Sequence, residues 1–238
     1  PTPGHTTFLA YFPARPGLRD EVAALLPEAR VDEVPVPEVD WVARFRENFR
    51  GFDVGRFRIA PPWDLPAERD ASLIVMDPGR AFGTGTHETT RLCVRALEAV
   101  AVRRPLGRLL DLGTGTGLLA IVGLRLGASL ALGTDNDPDA TASAVEHARL
   151  NEAPLRVVLG DLGQPLQAHS FDVVVANLMA PLLLARRAEI AALLRPRGTL
   201  LLSGLLVSDV AEVGPAYACL GPARIETDGE WACLAFDC

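Results

Sequence analysis

The sequence predicts an α/β protein built on a mostly parallel sheet, with an antiparallel hairpin at its carboxyl end and a small, reduced α+β module at its front. Three observations predict this. From residue 71 onward, short apolar segments alternate with segments whose apolar residues recur at helical spacing. A glycine-rich turn, LDLGTGTG at residues 110–117, joins an apolar strand to an apolar helix. The last two strand-like segments are separated only by a turn around Gly229, and strands joined so briefly must pair antiparallel.

The chain has 238 residues, enough for one full domain and a smaller attachment. Its 49% hydrophobic and 22% charged residues exclude a disordered chain. A chain of this length buries about 70% of its unfolded surface, so neither a disulfide nor a metal is needed to hold it. Twenty-three basic residues, all Arg, against 30 acidic ones give a net charge of −7. That argues against a protein that coats nucleic acid or an anionic membrane through net charge, and it suits a basic partner. The four cysteines form no CxxC and read as free thiols of a reducing cytoplasm, with no metal site expected. No apolar run reaches the ~18 residues of a membrane span. The chain opens on Pro1 rather than Met, consistent with a missing native N-terminal piece.

Residues 1–37 read as part of a domain. A strand is expected at 6–12 (TTFLAYF), a helix at 16–26 with Leu18 and Val22 at helical spacing, and a second strand at 29–36 closed by Pro35 and Pro37. Residues 38–70 read as a connector. Its helix, 40–49 (DWVARFRENF), has Asp40 as N-cap and an aromatic stripe of Trp41, Phe45 and Phe49, most simply a packing stripe. A short strand follows in 54–64, stopped by Pro61-Pro62. In the domain 71–238, strands are expected at 72–76, 108–112, 130–134, 156–159, 171–176, 199–203, 223–227 and 231–236. Helices are expected at 86–100, 118–126, 138–150, 182–194 and 207–219. Strands as apolar as 173–176 and 200–202 should be covered on both faces, as in a parallel sheet.

The chemistry concentrates at the glycine turn. Gly113, Gly115 and Gly117 let the backbone bend sharply and let a ligand approach without a Cβ in the way. Asp135 closes the next strand, where a carboxylate accepts hydrogen bonds from ribose hydroxyls. The spacing is GxGxG, with Leu118 at the third-glycine position of the dinucleotide fingerprint. Asp111, two residues before the first glycine, would repel a pyrophosphate and favour a ligand carrying a sulfonium and an ammonium. This points to S-adenosylmethionine rather than NAD. Asp161, after the third strand of this series, can accept from the adenine amine, although a plain turn role is also open. Asn177 ends the strand FDVVVAN at the carboxyl edge of the sheet, where open α/β folds bind ligands.

These residues resemble class I S-adenosylmethionine-dependent methyltransferases: LDLGTGTG is similar to their first motif, TDND (134–137) to the acid after the second strand, and LRPRGTLLLSG (194–204) to the turn into the fifth. The resemblance implies a Rossmann-like sheet of seven strands. A narrower resemblance rests on DPGRAFGTGTHETT (77–90), on the connector helix 40–49 and on Asn177-Leu178. It is to the PrmA family, bacterial methyltransferases of large-subunit ribosomal protein L-eleven (L11), and it runs from about residue 8 to the end. By residue match, the family's cofactor contacts fall on Thr90, Gly113, Asp135 and Asn177; Thr90 comes from the resemblance alone. The family's N-terminal domain is a ferredoxin-like βαββαβ unit, of which only about the second half is present; the chain is either truncated or shrunken there.

In the segment 82–90, Phe82 can cover the cofactor and exclude water, and Thr84 and Thr86 can donate hydrogen bonds. His87 and Glu88 read more simply as helix-start residues. The expected chemistry is in-line transfer of a methyl to an amine, with the Asn177 side-chain carbonyl aiming the lone pair and Leu178, Met179 and Ala180 forming a dry wall. The resemblance implies lysine ε-amines and an N-terminal α-amine of L11 as targets, and a monomeric enzyme is expected. Competing readings are a methyltransferase of another protein lysine, a cofactor-binding module that docks on ribosomal components without catalysis, and an NAD-dependent dehydrogenase.

Overall fold

The computed structural model describes residues 8, 10–13, 15–34, 50–77, 85–164 and 166–238. The chain divides into two compact units, Pro1–Arg44 and Phe45–Cys238. The described part of the first holds helix α1 (Leu18–Leu25), within the expected span. Asp20 and Glu21 lie in its first turn, where the helix dipole favours acids. The strands expected at 6–12 and 29–36 do not form over the described residues 8, 10–12 and 29–34. A strand exists only with a ladder partner, and neither segment has one among the described residues of this unit. The expected helix at 40–49, with its aromatic stripe, lies outside the described residues.

The second unit contains two sheets. β1 (Phe52–Val54) and β2 (Phe57–Ala60) form a hairpin in which Val54 faces Phe57 across the loop Gly55-Arg56. The loop turns on Gly55, whose φ of 56° suits a two-residue hairpin connection. β3 (Leu73–Val75) runs parallel to β2. The single short strand expected in 54–64 is thus a hairpin, and the strand expected to open the parallel series completes a separate three-stranded sheet instead. Packing explains this: Val54, Phe57, Ile59 and Ile74 are buried in the same core as Leu92 and Leu97. The Asn151 side chain finishes β3 as a rung of a further strand would. It accepts from Val75 N at 2.8 Å and donates to Val75 O at 2.7 Å. One helical turn earlier, His147 meets Asp77 N and Thr116 O, each at 3.0 Å.

The larger sheet contains β4 (Arg108–Leu112), β5 (Leu130–Asp135), β6 (Leu155–Leu159), β7 (Phe171–Asn177), β8 (Leu194–Leu206), β9 (Arg224–Asp228) and β10 (Trp231–Asp237). Its order is β6-β5-β4-β7-β8-β10-β9; β6 through β8 are parallel neighbours and β10 is antiparallel to both β8 and β9. The seven-stranded, mostly parallel sheet with its antiparallel end matches the expectation. The connecting helices are α2 (Glu88–Arg103), α3 (Leu118–Arg125), α4 (Pro138–Leu150), α5 (Ala180–Ala185), α6 (Arg187–Ala192) and α7 (Val210–Ala216). The single helix expected at 182–194 is broken at Arg186 into α5 and α6. The one expected at 207–219 is α only over Val210–Ala216, flanked by single 3₁₀ turns, with Pro215 near its end.

Period-two alternation puts Leu109, Val173, Val175 and Leu201 into one core, with Leu92 and Ile121. Leu110, Leu112, Val174, Ala176, Leu200 and Leu202 enter the other, with Leu183, Ile190 and Phe236. Each such leucine contributes on the order of 2 kcal/mol by burial. The chain reverses its direction of travel across the sheet between β4 and β7, so a crevice opens at their carboxyl ends.

Candidate active site

At that crevice lies a cavity of about 420 Å³, a size suited to a nucleoside-like ligand. Its floor is the turn after β4, where Gly113, Gly115 and Gly117 take φ of 67°, 54° and 81°. No residue with a Cβ adopts this region three times in five positions without strain. The turn is tied to the next strand: Thr114 N donates to Thr134 O at 2.9 Å and Gly115 N to Asp135 Oδ2 at 2.9 Å. Asp135 Oδ1 accepts from Asp137 N at 3.0 Å, and Asp137 caps α4 through Asp139 N. Backbone donors thus fix the Asp135 carboxylate at the cavity wall.

Of the residues expected in the site, Thr90, Gly113, Gly115, Asp135, Asp161 and Asn177 come together on the cavity lining. Phe82 and Thr84 lie outside the described residues. Thr90 is 1% exposed, and its Oγ1 has no hydrogen-bond partner among the described residues. A buried hydroxyl left so costs about 1–3 kcal/mol, which a polar ligand group at that wall would remove. Asp161 reaches the lining while paired with Arg186 at 2.8 Å. The expected dry wall is altered. Leu178 lines the cavity, but Met179 is 73% exposed and Ala180 is buried in the core; Leu118, Leu119, Leu162 and Leu182 supply the apolar surface instead. His87 caps α2 by accepting from Thr89 N, and its ring meets the edge of Trp231 at 4.7 Å between centroids.

Asp111 sits behind the turn, off the lining. It is 1% exposed and accepts from Thr114 Oγ1 at 2.7 Å. Burial lifts its carboxyl from 3.8 to about 6, partly offset by the Thr114 and Ala120 hydrogen bonds. A carboxyl whose folded value lies above its unfolded one binds more protons when folded. Its contribution to stability is therefore complete below pH 4 and lost as pH rises through 6, by about 3 kcal/mol. Asp111→Asn is expected to flatten the fall in unfolding free energy between pH 4 and 7 by that amount. Urea titrations at both pH values measure it, and an unchanged fall would refute the raised value.

The uncompensated negative charge at the cavity comes from Asp135 and Asp137, since Asp161 is paired with Arg186, and no arginine is among the described lining residues. A diphosphate is repelled there and a cationic ligand is favoured. Sequence reasoning missed Asn136, Asp137 and Leu162 on the wall. It also missed the support beneath Leu178: Gly204 in β8, at φ 80°, where an added Cβ would lie 2.5 Å from Leu178 O. The serine–glycine pair that breaks the apolar run of β8 is the signal that marks it.

Residues 17–237 match the family described as ribosomal protein L11 methyltransferase (PrmA). Proteins named ribosomal protein L11 methyltransferase from Geobacter metallireducens and Myxococcus xanthus are 38% and 37% identical to the chain, each match covering 97% of it and 81% of the relative. The crystal structure of ribosomal protein L11 methylase from Lactobacillus delbrueckii subsp. bulgaricus aligns with a TM-score of 0.71 at 29% identity, over 79% of this chain and 98% of that one. A T. thermophilus 16S rRNA N2 G1207 methyltransferase, solved with AdoMet and guanosine, shares the fold at a TM-score of 0.56 and 22% identity, over 66% of this chain and 45% of that one.

Proposed function

The chain belongs to the ribosomal protein L11 methyltransferase family, and from that premise we propose that it transfers methyl groups from S-adenosylmethionine to lysine ε-amines and the N-terminal α-amine of ribosomal protein L11. The observation that carries this reading is the cavity itself, where a glycine turn, fixed carboxylates, the Thr90 hydroxyl, without a partner among the described residues, and the Asn177 amide converge.

S-adenosylmethionine supplies an electrophilic methyl on a positive sulfur. Asp135 would accept from ribose hydroxyls, Asp161 from the adenine amine, and Thr90 would find its missing partner on the same ligand. Asn177, at the tip of β7, would accept an N–H of the incoming amine through its side-chain carbonyl and orient the lone pair. The amine must arrive neutral, and a free lysine has a pKa near 10.4. Leu118, Leu178 and Leu182 disfavour the ammonium by desolvation, so no strong base is required. We infer that the front module, residues 1–37, serves substrate recognition and that the enzyme acts as a monomer.

Incubation of L11 with the protein and the cofactor is expected to raise the intact mass of L11 in equal steps, each the mass of one methylene, because every methyl added replaces one hydrogen. An L11 of unchanged mass after this incubation would overturn the substrate.

A further inference from the structure

We propose that Arg186 and Glu189 form a clamp that sets the base specificity of the cavity by holding Asp161 and Leu162 against it. The proposal rests on the reading of the cavity as a nucleoside site. Asp161 and Leu162 are neighbours in the turn after β6, and both line the cavity. Leu162 is 6% exposed and has φ 52°, a left-handed conformation that a leucine keeps only where its surroundings over-determine it.

The residues on either side of Leu162 are tied to one place in the fold. Arg186 Nη1 donates to Asp161 Oδ2 at 2.8 Å, and Gly163 N donates to Glu189 Oε1 at 3.0 Å. Arg186 and Glu189 are themselves joined, Nε to Oε2, at 2.6 Å. The four groups close a chain around the strained residue, anchored where α5 breaks into α6. An ion pair as open as Arg186–Asp161, with side chains 24% and 45% exposed, contributes little to folding. Its role is geometric.

The chemistry follows from which oxygen is used. Arg186 and Gln164 both donate to Asp161 Oδ2, which leaves Oδ1 as the oxygen open to a ligand among the described residues. A carboxylate oxygen accepts from the 6-amino group of adenine and repels the 6-oxo group of hypoxanthine. Arg186 is thus a positioning residue acting through Asp161. A guanidinium bridges two carboxylates as an ammonium cannot.

Calorimetry with S-adenosylhomocysteine and with its inosine counterpart tests this. The unmodified protein is expected to prefer the adenine form about tenfold or more. In Arg186→Met the ratio is expected to fall toward one, mainly through weaker binding of the adenine form, and Arg186→Lys to restore part of it. Glu189→Gln keeps an acceptor for Gly163 while loosening Arg186, and an intermediate ratio is expected; it carries the test if Arg186→Met does not fold. An unchanged ratio in Arg186→Met, equal weakening of both ligands, or no preference in the unmodified protein would overturn the clamp. Failure of the unmodified protein to bind either ligand would instead overturn the nucleoside reading and the clamp with it.

Discussion

Replacing Asn177 with alanine is expected to lower kcat about 10²- to 10³-fold while changing affinity for S-adenosylhomocysteine by less than about fivefold. Asn177 ends β7 at the point where the sheet order reverses, and its side chain lines the cavity. In the proposed site, affinity for the nucleoside would be spread over the glycine turn, Asp135, Asp161 and the leucine walls, all of which line the cavity and which the substitution leaves in place. Orientation of the acceptor amine, proposed for Asn177 alone, would have no such redundancy. Methyl transfer to L11 gives kcat, and calorimetry gives the affinity. Full turnover in the variant would remove Asn177 from the chemistry. Loss of affinity in step with turnover would make it a cofactor residue alone.

Gly204→Ala is expected to destabilise the fold by about 2 kcal/mol or more and to lower kcat at least about tenfold in the fraction that remains folded. At Gly204 the backbone has φ 80°, and a Cβ would lie 2.5 Å from Leu178 O and 2.8 Å from Leu178 N and C. These are backbone atoms, so no side-chain rotation relieves the contact. The peptide that follows Asn177 must shift, and Leu178 with it, whose side chain rests on Gly113. Thermal unfolding reads the first effect, and turnover at a temperature where the variant is folded reads the second. A stable variant with normal kcat would show that the β7 tip tolerates displacement.

Much of the larger sheet was legible because its determinants are local. The β4 strand and helix α4 appear with the expected bounds; the first is an apolar run stopped by glycine, the second an Asp137 cap followed by Pro138. The hairpin 52–60 was not legible. Its strands are three and four residues long, and what commits them to a sheet is a core made with α2, some 35 residues onward. The break at Arg186 was hidden for the same reason, since its side chain is engaged by Asp161, 25 residues away. In the site, the glycine turn and Asp135 lie in one βαβ unit and were read together. Asp111 looked like a ligand contact from its spacing alone, but β4 directs it inward and Thr114 takes its oxygen. Leu178 and Gly204 meet only once β7 and β8 pair.

The small sheet is fastened to the large one by Asn151 and His147, two buried polar side chains at the carboxyl end of α4. Peeling β3 away would leave Asn151 Oδ1 and His147 Nε2 without their partners on Val75 and Asp77, while Asn151 keeps His147 O and His147 keeps Thr116 O, so separation of the two sheets carries a penalty of buried polar atoms. The unit should melt as a single cooperative body, and any looseness useful for admitting a protein chain must be found elsewhere than in this seam.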